Sequence, residues 1–540
     1  MSASHFIGVD VGTGSARAGV FDAAGTMLGA AKRDIAVYYE AGNIVEQSGE
    51  NIWQAVCASV REAVQKSGIA ADSVAGIGFD ATCSLVVIGE NGAPLAVGPS
   101  NDPDRNIIVW MDHRARGQAA RINAMGHAVL DYVGGTISPE METPKLLWLK
   151  ENRPDTFAAA RHFFDLADYL TWRSSGSLAR SVCTVTCKWT YLAHEKRWDD
   201  GYFASIGLGE LADEGFSRIG TEIVDAGTAL GQGLTETAAA DLGLPPGTAV
   251  AAGLIDAHAG GVGTVGAQGG TGSIASRMAY VFGTSACTMA STSDPVFVAG
   301  VWGPYHSAMV PGLWLLEGGQ SAAGAAIDQL VRFHPAAPEA EARAKAAGMG
   351  LVAWLSQQAG QGLTDASAAI DKAGGMQVVP EFLGNRAPFA DPEARAVIAG
   401  LGMERDVDSL VGLYVAGVAS LGYGVKQITG AMADKGVAID TIVVSGGAAA
   451  SPLVRQLLAD ATGLAVAAPV SEEPVLLGSA MLGAVAAGAH ADVAGAMTAM
   501  ARIGETYLPS GKFTRRHEAR FAAFELLQKA AREARDLAAQ

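Results

Sequence analysis

The sequence predicts an α/β protein of at least two domains, and three observations carry that expectation. The chain has 540 residues, well beyond the ~250–300 at which a single hydrophobic core stops growing. Apolar runs of strand length alternate with segments of helical periodicity along most of it. A strand, a glycine turn and a second strand open both halves, a weak internal repeat of architecture. Hydrophobic residues make up 49% and charged residues 17%, a composition that builds cores rather than disorder.

Taken in order, residues 6–10 and 16–22 alternate and are joined by Gly12-Thr13-Gly14-Ser15, which predicts a β-hairpin whose tip tolerates positive φ. A third strand is expected at 27–32. Ser48 opens a helix whose apolar face is Trp53, Val56, Val60 and Val64, spaced as a helix requires. Short strands follow at 74–79, ending at Asp80, and at 107–110, and residues 139–207 are mainly helical. The run 248–254 reads as a strand and the small residues after it as a helix, so Asp256 sits at the turn between them. A carboxylate there is a candidate general base or a helix cap.

Residues 266–273 are nearly all small and predict a linker or mobile loop. Beyond it the organisation restarts, with a hairpin formed by 278–283 and 286–290 around Gly283-Thr284-Ser285 and a strand at 313–317. Helices are expected at 321–333, 339–358 and 408–435, and 439–445, Gly446-Gly447 and 452–462 make a strand-turn-helix unit. Residues 520–540 read as one amphipathic helix.

The formal net charge is -17, with no basic block outside Arg515-Arg516, which argues against nucleic acid or an anionic membrane as partner. The five cysteines include no CxxC pair, so neither a disulfide framework nor a zinc ribbon is indicated. Cys183 and Cys187 have no further ligands nearby in sequence and read as buried thiols. The first residues lack the pattern of a signal peptide, and the longest apolar stretch, 476–489, is too short and too rich in Ala and Gly to span a bilayer. A cytoplasmic location is the expectation.

No GxxxxGK[ST] loop is present, and the GxGxxG match at 261–266 follows a helix start rather than a strand, so it is a decoy. The stronger signal is the pair of Gly/Thr/Ser turns. Backbone N–H groups of such turns can point into one concavity that accepts a polyphosphate. Asp10, at the start of the first turn, is placed to hold Mg²⁺, usually through water. These turns, a glycine pair before a helix and Asp256 at the junction together suit phosphoryl transfer.

With those motifs in place, the chain resembles the FGGY carbohydrate kinases, whose two ribonuclease H-like domains share the actin, Hsp70 and hexokinase-like ATPase fold, with a cleft between them. The resemblance runs from Gly8 to about Gly488. Its first phosphate motif is Gly12, Thr13, Gly14 and Ser15 with Arg17, its second Gly283, Thr284 and Ser285, and its adenosine motif Gly446, Gly447 and Ala448. Lys145-Leu146-Leu147-Trp148-Leu149 and the region around Gly400-Leu401 resemble the family signatures, with Glu142 and Ser451 as departures from the usual pattern.

Within the family, Gly78-Phe79-Asp80-Ala81-Thr82-Cys83-Ser84, Trp110-Met111-Asp112-His113-Arg114, Cys187-Lys188-Trp189-Thr190 and Gly384-Asn385-Arg386-Ala387-Pro388 are most similar to pentulose kinases of the D-ribulokinase type. The resemblance implies ATP as co-substrate, Mg²⁺ as cofactor with Asp10 as its ligand, and a sugar pocket of Asp80, Lys188, Asp256 and Glu317 in which Asp256 is the base. It also implies an N-terminal sugar-binding domain over 1–265, a C-terminal nucleotide-binding domain over 266–540, and a homodimer. D-ribulose is the first expectation for the sugar, with L-ribulose, D-xylulose and ribitol open. A non-kinase ATPase of the same fold, such as an Hsp70-like chaperone or a filament protein, is the distant alternative; the chain has no appended peptide-binding β-domain after about residue 500.

Overall fold

The computed structural model describes residues 4–447 and 450–538. Two mixed sheets with the same internal strand order flank a cleft. In the first, β1 (His5–Val11), β2 (Ser15–Phe21) and β3 (Met27–Asp34) form an antiparallel meander. Next to β1 lies the parallel strand β4 (Val74–Ala81), against which β5 (Ala249–Val250) and β6 (Leu254–Ile255) pair, also parallel.

The second sheet repeats the order. β7 (Arg277–Phe282), β8 (Ala286–Thr292), β9 (Trp302–His306) and β10 (Trp314–Gln320) are its antiparallel part, and β11 (Thr441–Ser445) and β12 (Ala465–Pro469) its parallel part, with β13 (Ile503–Tyr507) at the edge. The arrangement β3-β2-β1-β4-β5 matches β10-β8-β7-β11-β12, so both halves carry the ribonuclease H-like order that the paired hairpins foreshadow.

The helices that position the site are α1 (Gly49–Ser67), α2 (Val182–Trp189), α3 (Asp256–Val262), α4 (Gly324–Arg332), α5 (Val407–Ala433), α6 (Pro452–Thr462), α7 (Pro474–Ala486) and α8 (Thr514–Ala538). Ser48 caps α1 by accepting from the Asn51 N–H at 3.2 Å, and Gly68 ends it at a φ of 70°, the usual pairing of a hydroxyl start with a left-handed glycine stop. The helix expected over 339–358 is two helices, Ala337–Ala346 and Leu351–Gly360, because Gly348 takes a φ of 69° between them. α5 is long and apolar enough to cross a membrane by composition, and 83% of its most apolar stretch is buried inside the fold; it is the core helix of the second half.

One expectation needs correction. The loop 266–273 is pinned rather than free: the Arg277 guanidinium donates to the carbonyls of Thr271 at 2.8 Å and Ala267 at 2.6 Å and also reaches that of Gly269. Small residues there serve close wrapping around one cation. α7 and the following helix Val493–Met500 return to the first half, where their residues share a hydrophobic core with Leu254, Ala259 and Val262.

That return is made through backbone contact. α7 lies across β1 and β4 so closely that a Cβ built on Gly8 would stand 1.9 Å from the Leu476 carbonyl oxygen, and one on Gly78 would stand 2.0 Å from that of Ser479. Only glycine allows the approach. Gly78→Ala is therefore expected to lower unfolding stability by about 1–3 kcal/mol, the usual range for overpacking, as a fall in the urea midpoint. Gly14→Ala is expected to change it by less than about 0.5 kcal/mol, because a Cβ there meets nothing within 4 Å.

Candidate active site

Between the halves lies a cavity of about 370 Å³ lined by Asp10, Gly12, Thr13, Arg17, Lys188, Asp256, Gly283, Thr284, Ser285 and Glu317, among others. Its floor is the set of carboxyl ends of the parallel strands, where open α/β sheets place their ligands. Asp10 and Asp80 are partners in the β1–β4 register, Leu254 pairs with Asp80, and Asp256 follows directly on β6. Three adjacent strand ends thus bring three carboxylates together.

Their environments differ. Asp10 accepts from Arg17 Nε at 2.8 Å, and Arg17 reaches Glu473 Oε2 at 2.7 Å, so this cation links the first hairpin to the start of α7. Asp80 is 0% exposed and does not line the cavity; the Ser479 hydroxyl on α7 donates to it. The sequence-based placement of Asp80 in the sugar pocket is therefore corrected: it lies beneath Asp10, and Thr82 and Cys83, just beyond on the same segment, line the cavity instead. Burial first, then the Asp10 charge, hold the Asp80 carboxyl well above the ordinary range.

Asp256 begins α3, and one of its oxygens accepts from the Ala257 N–H at 2.7 Å. It occupies the first helical position, with Ile255 as the cap residue, so the capping alternative does not describe it. Burial and then the Asp10 charge push its carboxyl up to about 6.

The two glycine turns face the cavity and differ in span, the first closing around two residues and the second around one. Gly12 N–H donates to Ser15 O at 3.0 Å, and Gly283 N–H to Ser285 O at 2.9 Å. The first turn does not use positive φ at Gly12 or Gly14, contrary to the sequence reading of its tip. No fold contact demands these glycines either: the nearest atom to a Cβ is at 3.9 Å for Gly12 and 3.6 Å for Gly283. The room they leave is open to a ligand. Gly14 and Ser15 belong to the same turn without lining the cavity.

The second turn is tied to α4, whose first N–H groups bond the Gly283 and Thr284 carbonyls at 2.9–3.1 Å. Gly446, at the end of β11, packs on Phe282 with a φ of 96°, and Gly447 beside it is unobstructed. Neither lines the cavity, and Ala448 lies outside the described residues.

At the other end, Lys188 Nζ stands 5.4 Å and the Arg386 guanidinium carbon 5.5 Å from the centre of the Trp302 ring. Burial disfavours the Lys188 charge, and the surrounding acidic groups, Cys83 first and then Glu317, together outweigh that. Burial likewise works against Glu317, but Lys188 and His258 hold it down to about 2. Glu140 also lines the cavity and accepts from His113 at 3.2 Å, and Trp110 Nε1 donates to Thr13 Oγ1 at 2.9 Å. Arg386 and Trp110 fall in motifs quoted from the sequence but were assigned no role there. Trp302 lies in none, and its only signal is an aromatic at a strand start.

Comparison with known proteins adds to this geometry. The model of the N-terminal domain of the FGGY family of carbohydrate kinases matches residues 5–263, and that of its C-terminal domain residues 278–487. A human FGGY carbohydrate kinase domain-containing protein is 44% identical over 532 residues, covering 96% of this chain and 95% of its own length. A D-ribulokinase of Saccharomyces cerevisiae is 39% identical over 516 residues, covering 90% of this chain and 72% of its own. The crystal structure of xylulose kinase from Rhodospirillum rubrum superposes with a TM-score of 0.79 at 22% identity, covering 98% and 99% of the two chains. That of Plasmodium falciparum glycerol kinase with ADP gives 0.74 at 15%, covering 97% of each.

The buried Asp80 yields a test of the floor's charge. An unfolded Asp ionises near 3.9, whereas in the fold Asp80 keeps its proton to a higher pH. Above about pH 4 the folded state therefore binds the extra proton, and its stability falls as pH rises toward the folded pKa. Asp80→Asn removes that proton while keeping an acceptor for Ser479. Relative to the parent, the variant is expected to gain in urea midpoint between pH 4.5 and 7; a relative loss would mean that Asp80 is ionised in the fold.

Proposed function

Because the chain belongs to the FGGY family and is an ATP-dependent carbohydrate kinase, we propose that it transfers the γ-phosphoryl group of ATP to the terminal hydroxyl of a pentulose, D-ribulose, giving D-ribulose 5-phosphate and ADP. The observation that carries the reading is Asp256: a half-buried carboxyl between two phosphate-type turns and a polar sugar end, with its pKa raised to about 6. The D-ribulokinase name of the yeast relative supports the choice of sugar.

In this reading the sugar lies along Lys188, Glu317 and Arg386 with its terminal hydroxyl toward Asp256. Asp256 accepts the hydroxyl proton as that oxygen bonds to the γ-phosphorus and the bond to the β–γ bridging oxygen breaks. A base with a pKa near 6 is ionised at neutral pH yet basic enough to share the proton in the transition state. The N–H groups of Thr13, Thr284 and Ser285, with Arg17, bear on the phosphate oxygens, where most of the stabilisation in phosphoryl transfer is needed. The Gly446-Gly447 turn supports the adenosine.

Mg²⁺ fits the floor: Asp10, Asp80 and Asp256 crowd three carboxyl groups together, and the burden of like charge falls on Asp10 and Asp256 with Arg17 as the close cation. Asp10 would hold the ion, which supplies charge neutralisation on the transferred phosphate.

Asp256→Asn is expected to lower kcat by about 10²–10⁴-fold while ATP affinity, read by calorimetry, changes little. Near-parental turnover would remove Asp256 from the mechanism. For the parent, kcat/KM for the sugar should fall about tenfold per pH unit below about 6 and level off above it, since protonation disables the base. ADP release across D-ribulose, L-ribulose, D-xylulose, ribitol and glycerol tests the substrate. A preference for any other than D-ribulose overturns the sugar assignment, and loss of every pentulose overturns the subclass.

A further inference from the structure

Behind the sugar end of the cleft, three donors converge that phosphoryl transfer does not use. Cys183 Sγ, Cys187 Sγ and a ring nitrogen of His258 are buried and lie within 4.8 Å of one another. The two cysteines face the same way because they are one helical turn apart on α2. The sequence offered no third ligand near them; the fold supplies it from α3, with His258 Nδ1 3.0 Å from Cys183 Sγ. On the far side of the ring, Nε2 stands 3.5 Å from Glu317 Oε2, and neither atom has a hydrogen-bond partner.

We propose that Cys183, Cys187 and His258 bind one thiophilic d¹⁰ metal ion, Zn²⁺ or Cu⁺, with Glu317 fixing the histidine from its opposite face. Two sulfurs and an imidazole nitrogen select such ions over Mg²⁺ or Ca²⁺, which take oxygen ligands. Nδ1 is free to ligate only when Nε2 keeps its proton, and a carboxylate opposite Nε2 is the partner that ligating histidines commonly have. With Zn²⁺, two thiolates and a neutral imidazole leave no net buried charge: the ion replaces the Cys187 thiol proton and the proton between Cys183 and Nδ1.

The spacing is close to what is required. Bond lengths of ~2.3 Å to sulfur and ~2.0–2.1 Å to nitrogen place tetrahedral ligand atoms about 3.5–3.8 Å apart, so the Cys183–His258 contact opens by roughly 0.5 Å. Three protein donors complete a trigonal Cu⁺ shell, and Zn²⁺ takes a fourth, small ligand.

The ion would brace the sugar pocket. Lys188 follows Cys187 on α2, and Asp256 stands two residues before His258 on α3, so one ion ties together the helices that carry both. This consequence rests on the function proposed above, whereas the metal site itself does not.

The test uses the full chain, expressed separately in zinc- and copper-supplemented media and purified reduced without chelators. Elemental analysis is expected to find about one ion per chain, lost in Cys183→Ser and in the milder Cys187→Ser and kept in Cys57→Ser, whose thiol lies on α1. Co²⁺ added to the reduced, metal-stripped parent should give a thiolate-to-cobalt charge-transfer band that Cys187→Ser lacks. Less than about a tenth of an ion per chain from both media, with no band on adding Co²⁺, overturns the site. So does a Cys183–Cys187 disulfide by intact mass with no metal uptake after reduction. Metal removal should raise the sugar KM several-fold and leave the ATP KM unmoved, with recovery on reloading; bound metal without that split would overturn the bracing and leave the site standing.

Discussion

The cleft depends on the backbone contact between α7 and the first sheet. A helix that follows the parallel strands of the second half returns to lie on β1 and β4, near enough that side chains at Gly8 and Gly78 would collide with its carbonyls. This contact delivers three groups to the floor at once: Glu473 to Arg17, Val475 to the cavity wall and Ser479 to Asp80. The phosphate end and the charge of the floor are thus assembled from both halves. A shift of α7 would disturb the Asp10–Arg17 pair and the Asp80 hydrogen bond together, so the same helix is placed to couple relative movement of the halves to the state of the site.

The second constraint is electrostatic. Three carboxyl groups on adjacent strand ends cannot share one environment, and the fold separates them by what each touches. Asp80 is sealed between Asp10 and Ser479 and keeps its proton; Asp10 is held by Arg17; Asp256 is half-buried at the cavity with a backbone N–H as its hydrogen-bond donor. The three side chains thus meet different partners: Asp80 the Ser479 hydroxyl, Asp10 the Arg17 guanidinium and Asp256 the Ala257 N–H.

Much of this was legible in the sequence because its signals are local. The hairpins around Gly12–Ser15 and Gly283–Ser285, Ser48 opening α1 and the 452–462 helix all depend on neighbours along the chain, and they appear where the pattern places them. The repeated strand order could be inferred only weakly, since parallel pairing joins segments far apart. What failed was local in a different way. Asp80 and Cys83 differ by three positions, and strand alternation together with the course of the chain after the strand end decides which one meets the cavity. No pattern shows that Ser479 will cover Asp80 from almost four hundred residues away. The third donor beside Cys183 and Cys187 is His258, two residues after Asp256, and only the packing of α2 against the β6–α3 turn brings them together. The glycines of the two turns are not there for positive φ. They adopt φ values open to other residues, and what sets them apart is the empty space where a side chain would stand.

The sugar end can be argued from charge alone. Lys188 and Arg386 flank one face-bearing aromatic, Trp302, and their charges are answered by Glu317 and Glu140. Two cations and two carboxylates leave that wall close to neutral while crowding it with donors and acceptors. An anionic sugar acid would gain from the cations but meet repulsion from Glu317, which burial leaves poorly screened, and from the half-buried Glu140. A neutral polyol meets no such conflict: each hydroxyl can donate to a carboxylate and accept from an ammonium or guanidinium, and Trp302 offers an apolar face to its C–H groups. Such a wall discriminates by hydroxyl position, because a misplaced hydroxyl leaves a buried charged group unpaired, at a cost of about 1–3 kcal/mol or more. Selectivity at this end therefore follows from the same burial that fixes the charges, and the wall's composition favours an uncharged, hydroxyl-rich acceptor.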